Sequence, residues 1–320
     1  MEERKSGKVS QAKMVSRRSF IKGIAAAGAG GVFLSKGVKT SKAAVSLQLD
    51  GQVAVVTGGG RGIGRGIVLT LAKAGADIGI IETDILDTAF NQYRTKEIMG
   101  YQASLKVVEE VKTLGRRAMA VQADVSKWNQ IKPAVDEIIA KLGKIDIMVN
   151  DAGVVCMPPS LLAVEEADWD QTMNVNAKGV FFGCKAVILH MKERNYGRII
   201  NVASVAGKRA RGGSHYNCSK FVVVALTQAF ATSDLLKQNI TVNAICPGIV
   251  WTQMWVEISK ARKNPDETEE QYFARNVKVA IPQGRPQTPE GMGMLALYYA
   301  TNPDVTGQCW NLDGGIVVEH

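Results

Sequence analysis

The chain has 320 residues, 46% of them hydrophobic, and a formal net charge of +9, a composition that excludes a disordered or fibrous protein and predicts one large hydrophobic core. The charge is concentrated at the amino terminus, where residues 1–43 contain ten Lys and Arg against two Glu, whereas the remainder has 29 Lys and Arg against 28 Asp and Glu. Because the body of the chain is nearly neutral, we expect no nucleic-acid partner.

The amino-terminal segment, residues 1–43, resembles a twin-arginine export signal. Arg17 and Arg18 precede a weakly apolar run at 23–34, and small residues at 41–43 form a plausible cleavage site. The run is about twelve residues long, whereas a membrane span needs about twenty. The resemblance therefore predicts a protein handled by the export machinery and released to the periplasm, with a cytoplasmic location as the alternative.

The next feature is a glycine-rich turn between a predicted strand and a predicted helix. The apolar run Val53 to Val56 leads into Thr57-Gly-Gly-Gly-Arg-Gly-Ile-Gly64. Glycines allow a tight turn and a close approach of the backbone to a diphosphate, which the free amides of the following helix can hold. The turn predicts a dinucleotide site whose contacting residues are Gly58, Arg61, Gly62, Ile63 and Gly64.

An acidic residue at the end of the second predicted strand bears on the choice of cofactor. Glu82 follows the glycine turn by about twenty positions, the spacing at which a carboxylate binds a ribose 2′-hydroxyl. A 2′-phosphate would meet like-charge repulsion there. Arg61 opposes this preference, since a base in the turn can pair with such a phosphate. We expect NAD, with NADP the less favoured cofactor.

Apolar runs alternate with segments of helical period along residues 44–320. The predicted strands are 53–57, 78–81, 118–122, 145–150, 198–202 and 241–246. They are apolar on both faces, as strands covered by helices on two sides must be, so the pattern predicts a single-domain, doubly wound parallel α/β sheet, a Rossmann fold.

Two longer segments interrupt this alternation. Residues 83–105 lengthen the connection after the second strand, and residues 251–290 form a predicted lid. Two interpretations of 83–105 stay open: it covers an exported cofactor and slows its release, or it is an oligomer contact or surface helix. Trp251, Met254 and Trp255 in the lid either exclude water from a substrate or simply pack in the core.

The five cysteines form no CxxC pair and no His/Cys cluster with the spacing of metal ligands. We expect free thiols and no metal site.

A tyrosine and a lysine four residues apart carry the second chemical signal. Tyr216 and Lys220 share one helical face, and a neighbouring cation favours the phenolate, which would bring the tyrosine into the range of a general acid or base. Ser204 follows the end of a predicted strand and can orient a substrate oxygen. Asn176 can complete a proton relay. These four residues are the predicted catalytic set.

Together these residues resemble the short-chain dehydrogenase/reductase family, from Leu49 to the carboxyl end. Further matching motifs are Asp124-Val125, Asn150-Asp-Ala-Gly153, Pro247-Gly248 with Thr252, and Asp313-Gly-Gly315. The family usually has Asn-Asn-Ala-Gly where this chain has Asn-Asp-Ala-Gly, so Asp151 adds a charge beside the cofactor cleft.

The resemblance implies further roles around the cofactor. It places Asp124 with Val125 at the adenine and Asn150, Ala152 and Gly153 along the nucleotide cleft. It places Pro247, Gly248, Ile249 and Thr252 at the nicotinamide carboxamide, and gives Lys220, beside Tyr216, a second role at the nicotinamide ribose. A homodimer or homotetramer is also implied.

Within the family the chain is most similar to acetoin/butanediol and sugar-alcohol dehydrogenases, through residues 246–255 and 284–290. We therefore expect an NAD-dependent enzyme that interconverts a small secondary alcohol, a diol or polyol, and a ketone. One alternative is a dehydrogenase of hydroxysteroids or other bulky ring alcohols. The other is a nucleotide-binding sensor or scaffold without turnover, against which the four catalytic residues argue.

Overall fold

A computed structural model of the chain describes residues 48–84, 100–156, 158, 160–210 and 214–318. The predicted export signal at 1–43 and residues 85–99 of the long connection lie outside these described residues.

The described strands form one parallel sheet in the order β3-β2-β1-β4-β5-β6-β7. The strands are β1 (Val53–Thr57), β2 (Asp77–Glu82), β3 (Ala118–Gln122), β4 (Ile147–Asn150), β5 (Gly197–Val202), β6 (Ile240–Pro247) and β7 (Cys309–Leu312). The order reverses between β1 and β4, as it does in doubly wound sheets. The predicted fold class is confirmed.

Helices cover both faces of the sheet. In the described residues they are α1 (Gly62–Lys73), α2 (Gly100–Thr113), α3 (Trp128–Leu142), α4 (Glu166–Met173), α5 (Gly179–Glu193), α6 (His215–Ala231), α7 (Gln253–Arg262), α8 (Glu269–Ala280) and α9 (Pro289–Thr301). A π-helical turn, Asn174–Lys178, joins α4 to α5. None of these helices is long and apolar enough to cross a bilayer.

Alternate residues of each inner strand enter opposite cores. One core takes Val55, Met148 and Ile199 and packs them against α3, α5 and α6. The other takes Val56, Val149 and Ile200 and packs them against α1, α2 and α9. Full burial of each such side chain contributes about 1.5 to 3 kcal/mol, so the two cores hold the carboxyl ends of the strands at one edge.

The structure differs from the sequence predictions at several element boundaries. The fourth strand begins at Ile147 rather than at Ile145, because the Asp146 carboxylate instead accepts a hydrogen bond from Val53 N at 2.9 Å. The strand β7 was not predicted, and β3 is a partly exposed edge strand rather than one buried on both faces. The long connection predicted at residues 83–105 ends sooner than expected, because helix α2 begins at Gly100. The five cysteines, all among the described residues, form no disulfide.

Candidate active site

A cavity of about 660 Å³ opens at the carboxyl ends of the strands, where the strand order reverses. Open parallel sheets bind their ligands at this position. The carboxyl ends of five strands, or the residues just after them, reach its wall through Gly58, Glu82, Asp151, Ser204 and Pro247.

Most of the predicted site residues line this one cavity. They are Gly58, Arg61, Gly62, Ile63, Glu82, Asp124, Val125, Ala152, Gly153, Ser204, Tyr216, Lys220, Pro247, Gly248, Ile249 and Thr252. Three others do not line it: Gly64, Asn150 and Asn176.

The glycine turn is packed too tightly for side chains. Gly58 has φ +71°, and a Cβ there would lie 2.9 Å from Ala152 Cα. A Cβ on Gly64 would lie 2.2 Å from Gly58 O. The glycines therefore let the turn pack closely at the amino terminus of α1, where Gly58, Gly62 and Ile63 line the cavity and form a cradle that fits the diphosphate of a dinucleotide.

Glu82 lies at the end of β2, beside this turn. Its side chain is 8% exposed, and Gly60 N donates a hydrogen bond to its Oε2 at 3.4 Å. Burial raises the pKa of Glu82, while the positive charge of Arg61 opposes that rise. The structure thus places Glu82, which favours the 2′-hydroxyl of NAD, close to Arg61, which can pair with the 2′-phosphate of NADP.

A polar row that sequence reasoning missed holds the loop after β4. Thr57 pairs in register with Asn150, and Asn150 with Asn201, across three adjacent strands. Thr57 Oγ1 accepts hydrogen bonds from Asp151 N and Ala152 N, both at 3.1 Å. Asn150 Nδ2 donates to Asn201 Oδ1 at 2.9 Å. The signal was present, since each of these polar side chains falls near the carboxyl end of an apolar strand.

Asn176 is fully buried in the π-helical turn and joins two segments of the site. Its Oδ1 accepts from Val154 N at 2.8 Å, and its Nδ2 donates to Val154 O at 2.9 Å and to Ser219 Oγ at 3.1 Å. Asn176 thereby fixes the loop after Gly153 against helix α6. The role of Asn176 in a proton relay stays a prediction.

The three remaining predicted catalytic residues meet where β5 ends and α6 begins. Ser204 follows β5, and its hydroxyl forms a hydrogen bond with the Tyr216 phenol. Lys220 is 4% exposed, and its Nζ donates to Val202 O at 2.9 Å. The ammonium lies 5.7 Å from the centre of the Tyr216 ring. One hydroxyl, one phenol and one cation therefore share a corner of the cavity.

The pKa of Tyr216 differs from the sequence expectation. Burial raises it to about 12; the hydrogen bond with Ser204 lowers it, and the carboxylate of Asp151 raises it. Burial also lowers the pKa of Lys220, which weakens the cation that was expected to favour the phenolate. At neutral pH Tyr216 therefore carries its proton and is poised to donate it.

The lid residues divide between the cavity and a small core. Met254 and Trp255 line the cavity, whereas Trp251 does not. Both tryptophans contact Phe273 edge-on, with ring centroids 4.5 and 5.5 Å apart. The lid thus contributes the apolar side chains of Met254 and Trp255 to the cavity wall.

The loop after β6 is held by a residue that the sequence reasoning did not single out for a role. Gln287 Oε1 accepts a hydrogen bond from Ile249 N at 3.0 Å, and Gly248 N donates to Leu312 O at 3.1 Å. These bonds fix the backbone of the predicted carboxamide-binding segment.

Comparisons with known proteins agree with this geometry. A family model described as short chain dehydrogenase matches residues 52–263. The chain is 35% identical to L-2,3-butanediol dehydrogenase of Corynebacterium glutamicum, over 83% of this chain and 98% of that protein. It is 34% identical to cyclohexanol dehydrogenase of Rhodococcus sp. (strain TK6), over 85% and 98%.

Other similar proteins act on different substrates. The chain is 32% identical to the 3-oxoacyl-(acyl-carrier-protein) reductase FabG of Thermotoga maritima, over 85% of this chain and all of that protein. Among solved structures, levodione reductase matches with a TM-score of 0.74 and 27% identity, over 83% of this chain and 98% of that one. Two of these four proteins are named as dehydrogenases of alcohols and two as reductases.

Proposed function

Since the chain belongs to the short-chain dehydrogenase family, we propose that it interconverts a small secondary alcohol and a ketone with NAD(H). One observation carries this proposal: Ser204, Tyr216 and Lys220 meet in the cavity that the glycine turn also lines. A proton donor and a dinucleotide cradle in one cavity are the two requirements of this reaction.

Each side chain has a role that follows from its position. Tyr216 exchanges a proton with the substrate oxygen, and the Ser204 hydroxyl donates a hydrogen bond that orients it. Lys220 supplies positive charge beside the Tyr216 ring and would also bind the nicotinamide ribose. Asn176 positions the loop that carries Gly153. The nicotinamide, when bound, supplies hydride transfer at the substrate carbon.

A diol or acetoin is the substrate class we favour, because residues 246–255 and 284–290 resemble acetoin/butanediol dehydrogenases and the chain is 35% identical to L-2,3-butanediol dehydrogenase. Ring alcohols, hydroxysteroids among them, are the second candidate. The apolar wall formed by Met254 and Trp255 and the similarity to cyclohexanol dehydrogenase favour them. A sensor without turnover is the third, and the hydrogen-bonded pair of Ser204 and Tyr216 argues against it.

A substrate panel tests these candidates. Acetoin, 2,3-butanediol, sorbitol, cyclohexanol and a hydroxysteroid are assayed with NAD(H) and with NADP(H), and kcat/KM is compared. We expect the highest values for the acyclic diol and its ketone. A maximum at a ring alcohol would select the second candidate, and cofactor binding without turnover of any alcohol or ketone would select the third.

Glu82 is proposed to set the cofactor preference. We expect Glu82→Gln to lower the ratio of kcat/KM for NAD to that for NADP by about tenfold or more, because like charges about 4 Å apart near a protein surface repel by about 4 kcal/mol. Arg61 stays available to a 2′-phosphate. The exposed Glu137→Gln on α3 is the matched control, and an unchanged ratio in Glu82→Gln would refute this role.

We also propose that the protein is exported by the twin-arginine route as a dimer or tetramer with its cofactor already bound. Arg17 and Arg18 in the segment 1–43 support the route. Native mass spectrometry of the protein from periplasmic and cytoplasmic fractions reports cleavage, subunit number and bound nucleotide together. An intact amino terminus found only in the cytoplasm would contradict export.

A further inference from the structure

Asp151 has an ionisable side chain, whereas the family that the chain resembles usually has asparagine, a neutral amide, at this position. Its backbone N–H donates to Thr57 Oγ1 at 3.1 Å, which fixes the start of the loop after β4. Its carboxylate accepts a hydrogen bond from Gly64 N, in the first turn of α1. Oδ2 lies so near that a Cβ on Gly64 would be 2.6 Å from it. The carboxyl group therefore uses an amide at the helix end that the sequence assigns to a diphosphate.

The groups that face Asp151 come from every element packed against it. Lys220 on α6 attracts its charge, and Glu82 at the end of β2 repels it. The negative charge of Asp151 in turn raises the pKa of the Tyr216 phenol on α6. From α1 and β1, the Gly64 amide and the Thr57 hydroxyl face it, and both groups are neutral. One cation and one carboxylate thus act on Asp151 in opposite directions.

We propose that Asp151 links cofactor binding to proton uptake, so that the cavity binds the dinucleotide with this carboxyl group protonated. The diphosphate carries two negative charges, and an ionised Asp151 adds a third at the same helix end while accepting one of its hydrogen bonds. A protonated carboxyl group removes the repulsion and can itself donate a hydrogen bond to the diphosphate. Asparagine, the family's usual residue, would be neutral at every pH.

The sign of the pH dependence follows from burial and charge. Burial raises the pKa of Asp151 to about 7, while Lys220 lowers it and Glu82 raises it. A diphosphate nearby would raise this pKa further, so the bound form holds more protons than the free form. Affinity is then constant at pH values below the free pKa, and falls as pH rises through it, at up to about tenfold per pH unit for one linked proton.

This inference rests on the proposed dinucleotide function, and calorimetry tests it without an activity assay. NAD is titrated into the purified protein between about pH 6 and pH 9, in phosphate and in Tris, whose ionisation enthalpies differ. We expect the wild type to take up a fraction of a proton near pH 7.5 and to lose affinity about tenfold or more by pH 9. Asp151→Asn is expected to abolish both effects.

The matched control is Asp136→Asn, which removes an exposed carboxylate that pairs with Lys132 on α3. It is expected to retain the wild-type proton uptake. The comparison of the two buffers needs no variant, so the proposal stays testable if Asp151→Asn misfolds. Binding that is tight at every pH with no proton uptake, or an unchanged slope in Asp151→Asn, would overturn it. Failure to bind either NAD or NADP at any pH would instead overturn the proposed function.

Discussion

The variant Tyr216→Phe is expected to lower kcat by about 10²- to 10⁴-fold, the range that general acid catalysis contributes. In the proposed mechanism the phenol is the group that exchanges a proton with the substrate oxygen, and the Ser204 hydroxyl beside it lowers its pKa. The phenyl ring keeps its contact with Lys220, so cofactor affinity should change little. Steady-state kinetics with the best substrate of the panel, together with NAD titration, separate the two effects.

Tyr298→Phe is the control for this experiment, because Tyr298 is exposed on α9 and stacks on Trp310 with ring centroids 5.4 Å apart. It loses the same oxygen atom and should keep wild-type turnover. If Tyr216→Phe also kept near wild-type turnover while binding NAD normally, Tyr216 would not be the proton donor.

Gly64→Ala is expected to weaken NAD binding by about a hundredfold, because the turn can admit the new methyl group only by moving. The methyl carbon would lie 2.2 Å from Gly58 O and 2.6 Å from Asp151 Oδ2. Backbone atoms form the first of these contacts, so no side-chain rotation relieves it. Overpacking of this kind costs about 1 to 3 kcal/mol of folding stability. Calorimetry measures the affinity, and urea denaturation measures the stability.

Gly291→Ala on α9 supplies the matched comparison. Its methyl carbon would lie 3.3 Å from Thr288 Oγ1 and 3.6 Å from Leu312 Cδ2, contacts that small side-chain shifts relieve. Stability and NAD affinity should both stay near the wild-type values. Tight binding by Gly64→Ala would show that the diphosphate does not approach this turn.

The inner strands were predictable because each is a short apolar run between segments of helical period. Strand β7 was not, since only Cys309 of its four residues is buried and the segment has too few apolar residues to show a pattern. The fourth strand begins two residues later than predicted, because the Asp146 carboxylate accepts a hydrogen bond from Val53 N and forms an ion pair with Arg194. Such long-range polar contacts leave no local signal.

The residues that form the site could be predicted from the sequence, because parallel strands end at one edge of the sheet. Residues far apart in sequence, such as Glu82 and Tyr216, therefore line one cavity. The pKa values of the site residues could not be predicted from the sequence. The tyrosine and lysine four residues apart predicted a lowered phenol pKa, whereas burial dominates and raises it. The contact of Asp151 with Gly64 likewise depends on how the β4 loop turns, which spacing alone does not give.

The π-helical turn Asn174–Lys178 has a consequence for changes in chain length. Gly179 N bonds to Asn174 O across five residues, so this stretch holds one residue more than a regular helix would. Deleting one residue would allow an unbroken α-helix, but it would also rotate the residues on one side of the deletion by about 100° relative to the other. Asn176 would then leave Val154 and Ser219. A one-residue deletion would make the helix regular, but it would release the loop beside Gly153. The length of this segment is therefore more constrained than its side chains.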